Sequence, residues 1–456
     1  MKKQNLVVVG AGSTYTPGMI MSLIEEKENF PLKSITFYDI NVERQEKVAK
    51  ACEIILKEKY PELESFHYTT SKEEAFTDVD FAFVQIRTGG LAMREKDEQI
   101  PLSHGCVGQE TCGPGGMGYG LRSIGDMIQL VKEIRQYSPE AWILNYTNPA
   151  AIVAEALRRA FPEDKKILNI CDMPAAIMVS YASILKKEIW DLVPEYFGLN
   201  HFGWFTKMYD KEGNDLTDEI KNHILNKGFL PEDSEIVNDP SWIKTFKQVK
   251  TMVTDFPEYL PNTYLQYYLY PSDMVSKEDV SNTRARQVIN GREQRVHELC
   301  DGIIANGTTE GAHLEVDIHG CYMIRVAASL AYNNGDIFIV IVENNGIISN
   351  LQDDAMVEVP AMLTNRGPKP FAVGKIPTFY KGMIEGQLAY EKLVVDAYFE
   401  NDYNKALQAL TLNRTVVDAP VARKILDDLI AANENYWPEL KKDRKETTDN
   451  KDLTLV

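Results

Sequence analysis

The segment NICDMP, Asn169 to Pro174, ends an apolar run in a thiol, Cys171, and a carboxylate, Asp172, side by side. Further on, GLNHFGW, Gly198 to Trp204, puts His201 at the end of another short apolar stretch. A thiolate and an imidazole can share one divalent metal. Two protein ligands are too few for a closed structural site, so an ion held by Cys171 and His201 alone keeps positions open for substrate oxygens, as Lewis-acid chemistry requires. Taken singly these residues have plainer readings, Cys171 as a small core hydrophobe and Asp172 as the cap of a helix beginning near Pro174. In NYTNP, 145–149, Asn148 either caps a helix opening at Pro149 or joins Asn145 in offering amides to sugar hydroxyls. The tyrosine-dense NTYLQYYLY, 262–270, reads mostly as packing, with one phenol able to act as a base if a cation lowers its pKa. Arg87, Arg94, Arg284 and Arg286 recur near these segments, either as an anion pocket or as solvated surface. His67, His223 and His319 belong to no constellation.

These side chains need a scaffold, and the first 200 residues supply a rhythm for one. Short β-branched runs (LVVVG, SITFYD, DFAFVQI, AWILNY, KILNI) alternate with amphipathic stretches, the pattern of an α/β fold with a parallel Rossmann-type sheet. Ligands bind at strand ends in such sheets. The opening strand runs into Gly10-Ala11-Gly12-Ser13-Thr14, a turn in which glycines let a pyrophosphate approach backbone N–H groups. Tyr15 stands where the third glycine of GxGxxG would be. The second strand ends in Asp39, which can accept hydrogen bonds from an adenosine ribose and repel a 2′-phosphate, favouring NAD over NADP; otherwise it is a helix N-cap. Gly10, Gly12, Ser13, Thr14 and Asp39 are therefore the expected cofactor contacts. After residue 200 the pattern changes to helical segments (Ser276 to Asp301, Gly382 to Leu410, Val421 to Asn433) around two strand-like runs, CYMIRVAASLAY and DIFIVIVEN. This predicts two domains, 1–200 binding NAD and a mixed α+β 201–456 for substrate, catalysis and oligomerisation, with a frayed charged tail from Lys441.

Composition narrows the partners. With 49 basic against 67 acidic residues and a formal charge of −18, neither nucleic acid nor an anionic membrane surface is expected to bind. No apolar run approaches the roughly 18 residues of a membrane span. Six cysteines without a CxxC pair argue against a disulfide framework and for the cytoplasm.

GAGSTYTP, RxxDEQIPLxxGxxGQETCGPGG, NYTNPAAIV, NICDMP, GLNHFGW, LPNTYLQYYL and VENNG occur in order across nearly the whole chain. Together they resemble glycoside hydrolase family 4, NAD- and divalent-metal-dependent glycosidases with a fold like that of lactate and malate dehydrogenases, which depart from the usual two-carboxylate scheme. Cys-Asp-Met-Pro matches the family's 6-phospho-α-glucosidases. The resemblance implies hydrolysis of phosphorylated α-glucosides, such as maltose 6′-phosphate to glucose and glucose 6-phosphate, by oxidation at carbon 3, elimination and water addition. It implies Cys171 and His201 as ligands of manganese, Asp172 as proton donor, Tyr264 as base and Glu110 as the group raising its basicity. It further implies Arg94, Asn148 and Arg284 as substrate contacts, and a homodimer or homotetramer. The alternatives are an NAD-dependent 2-hydroxy-acid dehydrogenase, the same family acting on another glycoside, and an NAD-binding redox sensor using Cys171 or Cys112 as a reactive thiol.

Overall fold

A computed structural model describes residues 1–229 and 247–442. The charged tail expected from Lys441 lies, beyond Lys442, outside the described residues. Six strands form the first half of the sheet: β1 (Gln4–Val9), β2 (Leu32–Tyr38), β3 (Ser65–Thr69), β4 (Phe81–Val84), β5 (Trp142–Asn145) and β6 (Ile167–Asn169). All pair in parallel, in the order β3-β2-β1-β4-β5-β6. That is the dinucleotide-binding order, with its crevice where β1 and β4 lead away in opposite directions. The apolar runs of β1 and β4 are buried along nearly their whole length, because helices cover both faces of a parallel sheet. Those helices are α1 (Thr16–Glu25), α2 (Val42–Lys59), α3 (Lys72–Phe76), α4 (Gly90–Ser103), α5 (Gly113–Tyr137), α6 (Ala150–Ala160) and α7 (Met173–Leu185).

The sheet continues past β6 with antiparallel strands. β7 (Leu192–Leu199) and β8 (Phe202–Asp210) form a hairpin, and β9 (Leu260–Pro261) pairs with β8. β10 (Ile337–Glu343) lies beside β6, and β11 (Met356–Thr364) bridges β10 to β7, with β12 (Gly367–Pro370) on β11. The division expected near residue 200 therefore falls at the tip of the β7–β8 hairpin, and one sheet spans it.

DIFIVIVEN forms β10, but CYMIRVAASLAY is no strand: it lies in the helix Ile318–Tyr332. Apart from Arg325, residues 321–330 are all buried, so the helix lacks the polar stripe that would have revealed its 3.6-residue period. Arg325 leaves the core by stacking 3.9 Å from the Trp190 ring and donating to Glu26 at 2.8 Å. The helical region expected over Ser276 to Asp301 is broken into Pro271–Ser276, Arg284–Val288, a π turn Ile289–Glu293 and Gln294–Asn306.

Candidate active site

At the nucleotide end, Gly10 has φ +81° and a Cβ there would meet the Gln85 carbonyl oxygen at 2.8 Å, so only glycine fits without strain. At Gly12 a Cβ would come within 3.0 Å of the Asp39 carboxylate. Asp39 is not the cap of α2, for Asn41 fills that position and accepts from Arg44 N. Asp39 instead accepts the backbone N–H groups of Gly12 and Asn41, both at 2.9 Å. Its carboxylate thus fixes the glycine turn, at the β2 end, the position from which dinucleotide-binding folds reach a ribose. Ser13 N donates to the Gly10 carbonyl at 3.1 Å, and Thr14 completes the turn into α1. The glycine cradle and the acid beside it fit NAD.

The second cluster gathers at the ends of β6 and β7. Cys171 follows β6, while His201 sits in the two-residue turn of the β7–β8 hairpin with φ +62°. Cys171 Sγ and His201 Nε2 lie 3.3 Å apart, both buried. One ion bonded to both at about 2.0 to 2.3 Å spans that separation. Among the described residues no group of three or more His, Cys, Asp or Glu side chains could hold a metal ion, and Cys171 and His201 are the pair that would hold one here. A soft thiolate with one imidazole fits a transition-metal ion with open positions. Burial lowers the His201 pKa to about 4, so the imidazole is neutral at neutral pH, as a ligand must be. Burial also pushes the Cys171 thiol well up, with Asp172 adding to the rise; metal binding therefore displaces its proton.

Asp172 occupies the N-cap position of α7 but makes no side-chain cap bond. Asp172 Oδ1 lies 3.7 Å from Cys171 Sγ. Tyr264 stacks on the His201 ring, centroids 4.0 Å apart and planes within 20°. Burial pushes its phenol well above the usual range, reinforced by Tyr267, Cys112 and Glu110. Cys171, Asp172, His201 and Tyr264 are thus one group.

The arginines divide. Arg87 and Arg94 both pair with Glu110, Arg94 Nη1 at 3.0 Å, and Arg94 Nε also donates to Glu98 at 2.8 Å. Burial would raise the Glu110 pKa, but the two guanidiniums hold it below the ordinary value, so the group whose negative charge acts on Tyr264 is ionised. Arg284 opens the helix Arg284–Val288 and lies near enough to Tyr267 for its charge to offset a small part of the rise that burial imposes on that phenol's pKa. Arg286 leaves the cluster to pair with Glu95 on the surface at 2.6 Å, so no four-arginine anion pocket forms. Asn145 is occupied by Asn169 and the Thr147 N–H, each at 2.9 Å. Asn148 does not cap α6, whose cap position is Pro149; its buried Oδ1 has no protein donor. An orphaned acceptor at a strand end suits a hydroxyl-bearing ligand. Cys112 is buried and pushed up to about 12 by burial, which opposes a role as a reactive thiol.

Sequence reasoning missed three contributors. Arg44 Nε donates to the Gly12 carbonyl at 2.7 Å while Nη1 pairs with Glu293 at 2.7 Å. Thr111 hydrogen-bonds His201 Nδ1 at 3.1 Å. Glu358, in β11, accepts from Asn200 and Tyr196 at 2.9 and 3.0 Å and so anchors the hairpin behind His201. None has a local signature, since every partner is distant in the chain.

A glycine cradle after β1 and a Cys171–His201 pair after β6 and β7, all on one sheet, fit an enzyme that would use a dinucleotide and a metal ion. Two family models match the chain, family 4 glycosyl hydrolase over residues 5–187 and the family 4 glycosyl hydrolase C-terminal domain over 196–416. The chain is similar to the phospho-alpha-glucosidase PagL of Clostridium acetobutylicum, 52% identical and covering 96% of this chain and 100% of that protein. It is also similar to the crystal structure of a 6-phospho-alpha-glucosidase from gut microorganisms in complex with NAD and Mn2+, with TM-score 0.94, 53% identity, 96% of this chain and 100% of that one. A second 6-phospho-alpha-glucosidase from gut microorganisms, in complex with NAD and glucose-6-phosphate, matches with TM-score 0.93, 47% identity, 97% of this chain and 100% of that one. The protein belongs to the family 4 glycosyl hydrolases and is a glycosidase.

Proposed function

We propose that the protein hydrolyses 6-phospho-α-glucosides, such as maltose 6′-phosphate to glucose and glucose 6-phosphate, with NAD and manganese as cofactors. The observation that carries this reading is the meeting of Cys171, His201, Asp172 and Tyr264 in one group, the first two buried and the other two half-buried. Similarity to 6-phospho-α-glucosidases over nearly the whole chain supports the substrate class. When bound, NAD supplies a reversible hydride acceptor for carbon 3 of the sugar, and the ion held by Cys171 and His201 supplies Lewis acidity at the resulting ketone.

The chain's own residues handle the protons. The ketone acidifies the carbon 2 proton, which Tyr264 removes. Glu110, kept ionised by Arg87 and Arg94, strengthens Tyr264 as a base through its charge. Asp172 donates to the oxygen leaving carbon 1. Arg94, Asn148 and Arg284 contact the sugar, Asn148 through its unpartnered Oδ1. Water then adds and the earlier steps reverse, so hydrolysis proceeds without net redox change. In this reading 1–200 carry NAD and Cys171, and 201–456 bring His201, Tyr264 and Arg284. Family membership and six unpaired cysteines support a cytoplasmic homodimer or homotetramer, which light scattering of the purified protein tests. No described helix is long and apolar enough to cross a membrane.

The deciding assay is cleavage of p-nitrophenyl α-glucoside 6-phosphate with NAD, Mn2+ and a reductant, each omitted in turn. Cleavage is expected only with NAD and metal present and without accumulation of NADH. Activity surviving both omissions overturns the mechanism, net NADH formation favours a dehydrogenase, and preference for the unphosphorylated or β-linked analogue overturns the substrate class.

A further inference from the structure

The hydrogen-bond order around His201 is fixed by one donor that cannot be reversed. The backbone N–H of Thr111 donates at 2.6 Å to the side-chain amide of Gln109. A backbone N–H has no lone pair, so the atom facing it is the Gln109 oxygen, Oε1. The Thr111 hydroxyl lies 2.8 Å from that same oxygen. Two acceptors at this distance would repel, so the hydroxyl's single proton points at Gln109. Its lone pairs then face His201 Nδ1 at 3.1 Å, and that nitrogen must carry the ring proton. Nε2, on the far side of the ring, is left to face Cys171 Sγ at 3.3 Å.

We infer that Gln109 and Thr111 are positioning residues: they lock His201 in the Nδ1–H tautomer and so aim the Nε2 lone pair at the metal position beside Cys171. The inference rests on the reading of Cys171 and His201 as metal ligands. The remaining freedoms of the ring are already limited, since the hairpin turn sets its backbone and Tyr264 stacks on its face. Thr111 fixes its rotation and its proton. Groups behind a metal-bound histidine commonly act in this way. The same turn before α5 also carries Glu110, held by Arg87 and Arg94, so one short segment orients a metal ligand while its neighbour charges the base.

The test uses the full chain with 15N-labelled histidine, first without metal. Long-range 1H–15N correlation, with His201→Asn to assign the signal, is expected to report the Nδ1–H tautomer in the native protein and in Thr111→Ser. In Gln109→Leu the freed hydroxyl can donate to Nδ1 and shift the ring toward Nε2–H, and in Thr111→Val the lock is lost. Mn2+ affinity, read from the electron paramagnetic resonance of the free ion, is expected to fall about 10- to 100-fold in Thr111→Val and Gln109→Leu, with Thr111→Ser close to the native protein. NAD affinity, read by tryptophan fluorescence, should be unchanged in all three, which separates a positioning role from loss of folding. A native Nε2–H tautomer, or equal Mn2+ affinity in Thr111→Val and Thr111→Ser, overturns the relay alone. Equal Mn2+ affinity in the native protein and His201→Asn overturns the metal reading beneath it.

Discussion

At Asp172 the local rules point to a helix cap, yet the side chain makes no cap bond and stands by the Cys171 thiol. A carboxyl that supports the helix and one that protonates a leaving group respond differently to replacement. Proton donation matters most when the departing oxygen is strongly basic. Asp172→Asn should keep NAD affinity while kcat/KM on maltose 6′-phosphate falls by about 10²- to 10⁴-fold, with a far smaller loss on the p-nitrophenyl substrate. Equal losses on the two would remove the acid assignment. Read from its neighbours alone, Asp172 is a cap. The family motifs favoured the acid, and the geometry adds the unused cap and the short path to Cys171.

Between elements, the segment carrying Arg94, Gln109, Glu110 and Thr111 is held in place by a buried ion pair. Asp97 of α4 and Arg122 of α5 are both buried and joined by two contacts, one of 2.9 Å between Arg122 Nη1 and Asp97 Oδ1. Arg122 Nη1 also donates to Asn433 Oδ1 at 2.7 Å, tying in the end of the helix Ala419–Ala432. Removing one partner of such a pair strands a charge in the core. Arg122→Met should destabilise the fold by about 3 to 5 kcal/mol, and adding Asp97→Asn should recover much of the loss, both read from urea denaturation. A single variant as stable as the native protein would show that the pair is not a tether. The Asp97 motif was visible in DEQIPL, but its partner was not, because Arg122 lies inside a helix with no spacing that links the two. The mistaken strand at CYMIRVAASLAY has a related cause: in a helix buried almost all round, burial erases the period by which helices are read.

Across the whole molecule, net charge conceals acids that resist ionisation. Glu391, on the helix Thr378–Glu400, is buried and accepts from Gln387 at 2.8 Å; burial pushes it up to about 8. Glu358 is pushed up to about 7 by burial, despite its bonds from Asn200 and Tyr196. In each case the native state keeps a proton that the unfolded chain has released, so their contribution to stability falls as pH rises from the ordinary carboxylate range toward those values. Above them it levels off. Glu391→Gln removes this penalty and keeps an oxygen for Gln387, so its thermal midpoint should exceed the native one by a margin that widens from about pH 5 to about pH 9. A margin independent of pH would show that Glu391 is already ionised in the fold.

What the sequence by itself determined were features written in neighbouring residues: alternating strands and helices, the Gly10 to Thr14 turn, Asp39 at a strand end, and the ordered motifs of the family. These depend on periodicity and turn chemistry, which act over a few residues. Only the tertiary structure decided that Cys171 and His201 lie 3.3 Å apart with Tyr264 stacked beside them, that Arg87 and Arg94 serve Glu110, and that one sheet crosses residue 200. Each of these joins segments far apart in the chain. Their meeting is set by how buried surfaces pack and how buried polar groups find partners, and no local pattern encodes that outcome.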